Sequence, residues 1–582
     1  MRRSISMALL ALLMVIGPVA SAQDDSQGDT ITLRVGLTQP WTTLNVTAGF
    51  TVSEFEIWTL QYEGLTNRAA DDFEIVPGLA ESWEASDDGL TYTYTLREDL
   101  VWSDGEPLTA DDLAWTINTS RDQGWSNHIA TTQNLDAVAV DDRTLQVTSS
   151  VPDPKLPEVG VYMLPRHIWE EHATDGEAIV GYEALDGVGS GPFVLAEYAQ
   201  EQFVRMVAND NYWDGRATID EIVFRIFTNP DAMVAALQQG QIDAAHNVPS
   251  SSVETLEADD TIELVAGLQG GFDEIALNGG EAEGQPHPAL LDIEVRKAIS
   301  HAIDKEAIIE DIWAGQGEAA VTISVSADPK WMPEIPESEQ FTYDPDRANQ
   351  ILDDAGYLDT DGDGVREMPG GGDPLVLRHG VNSDSITAQP VAELYAGWLE
   401  AIGIEVELSA YDEGQLFDLI VNGDYDSFVW GWVPFVDPDP MLSYFTEEEL
   451  GNWNDANWID PRYDELYLEQ NQELDEDRRV EIVHEMLRIF HDSAVYIPIA
   501  YSPDIQAYRV DRFEGWIQQP ADIGPVMFSM SSPSYHALTP VGDGFAGDTS
   551  NLLMILGGGA LVVAAGLAII LSRRKKTADE RD

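Results

Sequence analysis

The chain has 582 residues, enough for several domains of roughly 100 to 200 residues each, and it can bury large cores. Its 104 acidic and 30 basic residues give a formal net charge of −74. Such a charge argues against nucleic acid as a partner and fits either a solvated surface that resists aggregation or adaptation to high salt. The absence of cysteine excludes disulfides, thiolate metal sites, cysteine nucleophiles and a lipid-modified N-terminal cysteine.

The first 22 residues have the anatomy of a secretory signal peptide. Arg2 and Arg3 precede an apolar run at residues 7–19 and the small-residue site Ala20-Ser21-Ala22. We predict cleavage after Ala22, so that the body of the protein is exported from the cytoplasm.

An apolar segment near the C-terminus predicts a membrane anchor. Residues 552–571 are 20 uncharged residues, about the length that crosses a bilayer, and the basic cluster 573–576 follows at once. The positive-inside rule places this cluster and the tail, residues 572–582, in the cytoplasm. Residues 531–550 contain several prolines and glycines and are predicted to be a flexible linker. We therefore expect a single-pass cell-membrane protein whose folded body is extracytoplasmic.

The body begins with a predicted strand and a predicted helix. Residues 30–35 alternate as in a strand. Residues 52–64 carry apolar side chains at helical spacing, namely Phe55, Trp58, Leu60 and Tyr62.

Residues 77–112 form the most informative stretch of the sequence. After the turn Asp88-Gly89, apolar and aromatic side chains alternate with threonines up to Leu96, which predicts a half-buried strand of a hairpin. Thr109 occupies a helix N-cap position, with two aspartates in the first turn, and predicts a helix to about Arg121. This order of turn, strand, turn and capped helix resembles the opening segment of the extracytoplasmic solute-binding proteins of peptide-type ABC importers, a family that carries peptides, nickel chelates and some oligosaccharides.

The resemblance covers about residues 30–530 and implies an α/β fold, a periplasmic-binding-protein-like two-lobed clamp of the large three-domain type. It implies a discontinuous domain I (30–57, 188–280 and 499–530), domain II (58–187) and domain III (281–498), with the connections between lobes acting as a hinge. In the family, the loop after the first strand lies along the ligand cleft, which nominates Gln39 and Trp41 as ligand-binding residues. The alternative for Trp41 is that it packs beneath the loop.

Further elements follow from local patterns. Strands are expected at 135–148 (a hairpin), 219–227 and 404–408, and helices at 231–239, 294–305, 390–402 and 475–491. Residues 495–500 and 505–510 look like two strands that return to domain I.

Catalytic signatures are missing from the sequence. Gly189-Ser190-Gly191 is not a nucleophile elbow, because Val188 and Pro192 take the flanking glycine positions. A metalloprotease-like string at His484 fails because Arg488 stands where the second histidine is needed. No phosphate-binding Gly-Lys-Ser or Gly-Lys-Thr loop occurs. We therefore predict a binding protein that is not an enzyme.

One loop has the oxygen-rich layout that calcium prefers. Asp359, Asp361 and Asp363 take positions one, three and five, Gly364 takes position six, and Val365 offers its carbonyl. The twelfth position is Gly370, where a bidentate glutamate is usual. Relatives often carry a similar acidic loop as a plain connection, so both a Ca²⁺ site and an acidic turn remain open; no other cofactor is expected.

The pair Gly431-Trp432 is the main clue to the ligand. In the peptide-binding relatives, an aspartate three residues after the tryptophan accepts the ligand's amino group, but here Phe435 takes that position. Asp437 is the nearest replacement. The aromatic side chains of Trp430, Trp432 and Phe435 also suit stacking on a sugar or an apolar ligand, or they are core of domain III.

The sequence thus predicts the substrate-binding receptor of an ABC importer, with ABC permease subunits and the lipid bilayer as partners. A peptide is the leading small-molecule ligand by family frequency. An oligosaccharide or another solute is the alternative, and a ligand sensor is a further one.

Overall fold

The computed structural model describes residues 30–542, apart from residues 50, 126–127, 269–270, 281–285, 384, 386, 433–434, 502 and 528–532. The predicted signal peptide (1–22), membrane helix (552–571) and tail (572–582) lie outside the described residues. Within the described part, no helix combines the length and the apolar character that a bilayer span requires.

Strands and helices are interspersed along the described residues. The strands are β1 (Thr32–Leu37), β2 (Thr66–Arg68), β3 (Ile75–Pro77), β4 (Ala80–Ala85), β5 (Thr91–Leu96), β6 (Leu135–Asp141), β7 (Thr144–Ser149), β8 (Phe193–Ala199), β9 (Phe203–Ala208), β10 (Glu221–Ile226), β11 (Ala244–Ala245), β12 (Ile262–Leu268), β13 (Phe272–Leu277), β14 (Glu318–Ala319), β15 (Val376–Asn382), β16 (Glu405–Tyr411), β17 (Ser427–Trp432), β18 (Tyr496–Tyr501), β19 (Pro503–Arg509), β20 (Phe513–Glu514) and β21 (Thr539–Pro540).

The helices are α1 (Val52–Gln61), α2 (Ala110–Gln123), α3 (Ile129–Thr132), α4 (Arg166–Trp169), α5 (Gly176–Val180), α6 (Pro230–Gln238), α7 (Val253–Glu257), α8 (Ile293–Ala302), α9 (Lys305–Ile312), α10 (Pro345–Ala355), α11 (Ala388–Ala401), α12 (Glu413–Val421), α13 (Asp439–Ser443), α14 (Pro461–Gln470), α15 (Glu476–Ser493) and α16 (Pro533–Ala537). Short 3₁₀ turns occupy Ser250–Ser252, Pro288–Leu291, Pro329–Trp331 and Glu447–Glu449.

A seven-stranded sheet is assembled from three separate parts of the chain. Its order is β12-β19-β11-β1-β10-β9-β8, so that β1 from the start of the body lies between strands that come much later. β1 pairs in parallel with β10 and β11, and the remaining pairs are antiparallel. Helices α6 and α7 bury their apolar faces on this sheet.

A four-stranded antiparallel sheet, β4-β5-β7-β6, carries the stretch that predicted the fold. The predicted hairpin is present, since β5 pairs with β4, and Gly89 at the turn has a φ of +69° that favours glycine. Thr109 caps α2 as expected: its backbone N–H donates to Asp112 Oδ2 at 2.9 Å, and the two residues form a capping box.

A six-stranded sheet, β14-β18-β13-β17-β15-β16, has β13 near its centre, antiparallel to both β17 and β18. Alternate side chains of β13 enter two different cores. Ile275 and Leu277 pack with the helices α8 to α11, whereas Phe272 and Ala276 face the core built on α12 to α15. Helices therefore cover both faces of this sheet, which makes the fold a mixed α/β fold.

Two elements differ from the sequence prediction. Residues 495–500 were expected to return to the first domain, but β18 pairs with β13 and β14 and stays in the six-stranded sheet. The helix expected over 294–305 is two helices, because Ile303 is extended and Asp304 starts a new helix by accepting a bond from the Ala307 N–H at 3.0 Å.

Part of the predicted linker is also structured, which corrects the expectation of a flexible segment from residue 531. Residues 533–537 form α16, and β21 pairs with β20. Tyr535 is fully buried, and its hydroxyl donates to Glu56 on α1. A buried aromatic ring with a polar partner holds this segment on the body, which proline and glycine content alone does not reveal.

Candidate functional site

The chain crosses twice between the seven-stranded and the six-stranded sheet, and both crossings lie at one edge. The first runs from the end of β12 at Leu268 to the start of β13 at Phe272, and the second from the end of β18 at Tyr501 to the start of β19 at Pro503. Because β13 and β18 are antiparallel, the start of one lies beside the end of the other, as the pairing of Asp273 with Ala500 shows. The two crossings therefore lie side by side.

Four aromatic side chains line the six-stranded sheet at this edge, and we name Phe417, Trp432, Tyr444 and Trp453 the aromatic wall. Trp432 ends β17 and lies opposite Phe272, the first residue after the crossing. Ring centroids are 5.3 Å apart between Trp432 and Tyr444, 5.3 Å between Tyr444 and Trp453, and 6.0 Å between Trp453 and Phe417. Trp453 is 41% exposed and Phe417 38% exposed, so the wall offers aromatic surface to solvent.

The predicted pair Gly431-Trp432 belongs to this site. Trp430 and Trp432 lie on the same face of β17, and both are half-buried against the core on α12 to α15. Gly431 between them faces the other way, where a Cβ would stand only 2.9 Å from Asp273 Oδ1. A larger residue at this position would therefore have to displace the Asp273 carboxylate.

Phe435 and Asp437 lie beyond β17 in a segment that is fixed by other contacts. The Phe435 carbonyl accepts a bond from the Ala327 N–H at 3.0 Å. The Asp437 carboxylate accepts two bonds from Arg479, at 2.7 and 2.8 Å. Burial alone would raise the pKa of Asp437, but the Arg479 guanidinium holds it below its ordinary value. This carboxylate is thus engaged within the protein.

Gln39 and Trp41 lie on the loop from β1 to α1, beside the seven-stranded sheet. Trp41 is buried, and its indole N–H donates to the Ser53 carbonyl at 3.0 Å, which matches the packing alternative. Gln39 is exposed. Glu54 on α1 holds the loop by accepting bonds from the backbone N–H groups of Thr42 and Thr51, at 2.6 and 2.9 Å.

Two buried carboxyl groups lie behind the aromatic wall. Glu274 on β13 is directly opposite Trp430, and Asp455 follows Trp453 in the chain by two residues. Burial raises the pKa of Glu274 well above its ordinary value, and the charge of Asp455 raises it further. Burial raises the pKa of Asp455 to about 7, although the Tyr496 hydroxyl donates to its Oδ1.

The lobe that carries the four-stranded sheet touches the six-stranded lobe close to Asp437. Lys155 Nζ lies 2.6 Å from Asp439 Oδ2, and Phe73 packs with Ala327 and Val436. Burial lowers the pKa of Lys155, but the charges of Asp439 and Asp153 raise it by more. The net pKa is above its ordinary value, so the amine is charged at neutral pH.

We expect Lys155→Met to loosen this contact between the lobes. The ion pair is only partly exposed, and its loss should destabilise the conformation in which the two parts touch by about 1 kcal/mol. Small-angle X-ray scattering of the protein without ligand should report a larger radius of gyration. Lys297→Met is the matched control, because Lys297 pairs with Glu294 on the same helix and should leave the radius unchanged. Equal radii for both variants would contradict this role of Lys155.

The predicted acidic loop brings its carboxylates together. One oxygen each from Asp359, Asp361, Asp363 and Glu367 lies within 4.8 Å of the others. Glu367 is the last residue of the predicted calcium loop, 359–367, but was not predicted as a ligand; a bridge that pairs it with Leu358 closes the turn and brings it to the cluster. Val365 donates its backbone N–H to Asp363 Oδ1 at 2.8 Å. The cluster is a set of hard oxygen donors of the kind that Ca²⁺ takes.

The described residues form a mixed α/β fold in which two crossings of the chain join the seven-stranded and the six-stranded sheet beside the aromatic wall. The sequence matches the bacterial extracellular solute-binding proteins, family 5 Middle, over residues 74–452. This is more than half of the chain, and the protein belongs to this family. The predicted resemblance to the solute-binding proteins of ABC importers is confirmed, and so is the role of a solute-binding receptor.

Relatives and solved structures agree with this assignment. Heme-binding protein A of Haemophilus influenzae is 27% identical over 489 residues, covering 79% of this chain and 84% of that protein. Oligopeptide-binding protein OppA of Bacillus subtilis is 25% identical over 516 residues, covering 84% of this chain and 90% of OppA. NikA from Brucella suis in complex with Fe(III)-EDTA shares the fold, with a TM-score of 0.73, 23% identity and coverage of 87% and 100%. AppA from Bacillus subtilis in complex with a nonapeptide has a TM-score of 0.70 and 22% identity, and the match covers 88% of this chain and 100% of AppA.

Sequence reasoning found Trp432 but missed Tyr444, Trp453, Glu274 and Asp455. With 104 acidic residues, no single carboxyl group stands out by count. The signal that was available for Glu274 is its place on a strand, Phe272–Leu277, whose other residues on the same face are apolar.

Proposed function

We propose that this protein captures a peptide outside the cell and delivers it to the permease of an ABC importer. The observation that carries the proposal is the aromatic wall, which begins at Trp432 beside the crossing between the two sheets and includes the exposed side chains of Trp453 and Phe417. Rings of this kind bury apolar ligand surface with little loss of conformational entropy. The names of relatives support a peptide, since OppA is called oligopeptide-binding and AppA was solved with a nonapeptide.

Capture proceeds by closure of the lobes and makes or breaks no bond. The ligand adds contacts to both lobes, so it stabilises the closed form relative to the open one by the difference in its affinity for the two. Lys155–Asp439 and the packing of Phe73 on Val436 add contacts of the protein's own to the closed form. The permease then recognises the closed receptor.

The test is the identity of the bound ligand. The full chain is purified without denaturant, unfolded, and the released small molecules are analysed by mass spectrometry. We expect peptides, and we expect Trp432→Ala to release at least tenfold less, because that ring starts the wall. Tyr198→Ala, a change at a half-buried aromatic residue on β8, is the control. Release of equal amounts from both variants, or of no peptide, would contradict the proposal.

An oligosaccharide is the second candidate ligand. Phe435 stands where the peptide-binding relatives place an acidic residue, and the tilted and stacked rings of the wall suit the apolar faces of sugars. In the same experiment, this candidate predicts glycans and no peptides among the released molecules.

We also propose that residues 552–571 tether the receptor to the cell membrane after removal of residues 1–22. The support is the uncharged stretch and the basic cluster that follows it. Membrane fractions should retain the full chain after a high-salt wash and release it with detergent. Release by salt alone would contradict the tether.

We propose that the acidic loop binds Ca²⁺ through Asp359, Asp361, Asp363, Glu367 and the Val365 carbonyl. Isothermal titration of the full chain with CaCl₂ should give a dissociation constant on the order of 10⁻⁴ to 10⁻³ M, as for other extracellular modules. Asp361→Asn should weaken binding at least tenfold, whereas Asp354→Asn, an exposed change on α10, should not. A titration with no binding heat would favour a plain acidic turn.

A further inference from the structure

Glu274 differs from the other buried carboxylates of the described residues. Each of the others accepts at least one hydrogen bond: Glu54 from Thr42, Glu56 from His246, Glu63 from Trp213, Asp112 from Thr109, Asp243 from Arg34, Asp328 from Lys330, Asp426 from Arg378 and Asp455 from Tyr496. Within that part of the chain, neither oxygen of Glu274 has a partner, although the side chain is 0% exposed. A buried carboxyl group without a donor is costly, whether it is charged or neutral.

The groups around Glu274 are acidic or aromatic. The negative charges of Asp455 and Asp273 raise the pKa of Glu274. The charge of Glu274 in turn raises the pKa of Tyr496 on β18. The indole N–H of Trp432 is also without a partner among the described residues. This N–H lies near the Glu274 carboxyl group and partly offsets the rise in the pKa of Glu274, but the two groups do not have the geometry of a hydrogen bond. Among the described residues, no arginine or lysine is one of the main groups that shift the pKa of Glu274 or of Asp455.

The position of this acidic pair links it to the ligand site. Glu274 lies on the same face of the sheet as Trp432, the first ring of the aromatic wall, and Asp455 lies two residues beyond Trp453. The faces of tryptophan and tyrosine rings attract cations, and carboxylates behind the rings in a medium of low dielectric constant strengthen that attraction. A neutral or anionic group at the wall gains nothing from either feature.

We propose that the aromatic wall and the Glu274–Asp455 pair behind it form a subsite for a cationic group of the ligand, an ammonium or a guanidinium. The inference rests on the proposed function as a peptide receptor and names the chemical group of the peptide that the aromatic wall binds. It assigns to Glu274 the attraction for a cation that Phe435 cannot supply.

The subsite acts by coupling binding to ionisation. Burial, and to a smaller extent the negative charges of Asp455 and Asp273, raise the pKa of Glu274 well above its ordinary value, which favours the protonated form when no ligand is bound. A cation on the wall favours the carboxylate, so the proton leaves Glu274 for solvent as the ligand binds. Glu274 acts through the field at the wall and is a specificity-determining residue of the binding site.

The test uses four alanine-based pentapeptides and the full chain, freed of bound ligand by unfolding and refolding. One pair contains lysine and the other norleucine at the central position, and each is made with a free or an acetylated N-terminus. We expect the wild type to bind the peptide with the preferred ammonium at least tenfold more tightly than its neutral counterpart. Comparison of the pairs tells whether a side chain or the N-terminus supplies the cation.

Three variants separate the inference from a structural role. Glu274→Gln should lose the preference while it still binds the neutral peptide, and Asp455→Asn should weaken the preference. Asp273→Asn removes a charge from the opposite face of the same strand and should keep it. Calorimetry near pH 6 in phosphate and in imidazole should report proton release on binding to the wild type and a smaller release for Glu274→Gln, in which Asp455 alone still holds a proton.

The outcomes are distinguishable. Binding of all four peptides with equal affinity, or a preference that Glu274→Gln keeps, overturns the cation subsite and leaves the peptide receptor in place. Failure of every peptide to bind overturns the peptide assignment, and the subsite falls with it.

Discussion

Arg479→Met is expected to destabilise the protein by about 3 to 5 kcal/mol, because it leaves a buried charge without its partner. Arg479 is 4% exposed in its side chain and donates two bonds to Asp437 and one, at 3.0 Å, to Gln470. Asp439 and Asp153 add negative charge around the guanidinium and raise its pKa, although burial opposes this. Removal of the cation therefore leaves several acidic groups together in a partly desolvated segment. Urea denaturation followed by circular dichroism measures the change in midpoint.

The neighbouring residue provides the control. Arg478→Met removes the same charge from a side chain that is 45% exposed and pairs with Glu469 and Glu481 on the surface, so we expect a change within about 0.5 kcal/mol. The double variant Arg479→Met with Asp437→Asn should regain part of the loss, because it no longer buries an unpaired carboxylate. Equal midpoints for the two single variants would contradict the role given to Arg479.

The second large effect concerns pH. Burial raises the pKa of Asp455 from 3.8 to about 7, so the folded protein holds a proton that the unfolded chain releases. The protonated Asp455 contributes its full stabilisation below about pH 3.8, and this stabilisation decreases as the pH rises from 3.8 to about 7. Above about pH 7 the total loss in unfolding free energy is roughly 4 kcal/mol. Asp455→Asn removes this loss and keeps an oxygen that accepts the bond from Tyr496.

The expected result is a difference in unfolding free energy that depends on pH. Asp455→Asn should match the wild type near pH 4 and exceed it increasingly up to pH 7 to 8, measured by urea denaturation in one buffer series. Asp492→Asn, a change at an exposed carboxylate, should show no such trend. A variant that is less stable than the wild type at pH 8 would show that the carboxylate form of Asp455 is the stabilising one.

Local chemistry in the sequence was sufficient for much of the fold. The threonine and tyrosine alternation of β5 and the N-cap at Thr109 act over a few residues, so their structure follows from nearby side chains. β18 was misassigned because its strand character is local, whereas its partner, β13, is more than 200 residues away in the chain. α16 was hidden because its stability comes from the burial of Tyr535 against Glu56, which no local pattern encodes.

The candidate site was predictable only where a motif marked it. Gly431-Trp432 pointed to the wall, but Tyr444 and Trp453 join it through packing between segments that follow β17. Asp437 was chosen by its nearness in sequence to Phe435, whereas the structure uses it to hold Arg479. Glu274 stands out because its buried carboxyl oxygens have no hydrogen-bond partner among the described residues, and this depends on segments that are distant in the sequence.

The central claim is that two lobes close over a ligand at the aromatic wall. The chain has no cysteine, so cysteines introduced at the exposed positions Asp142 and Glu465, one in each lobe, would be its only thiols for spin labels. Pulsed electron paramagnetic resonance then measures the distance between the lobes in ligand-stripped protein, with and without a tryptic casein digest as the source of peptides. We predict a shorter and narrower distance distribution with peptides, and no such change for Trp432→Ala. The same distribution in both wild-type samples would contradict the clamp that closes on a peptide.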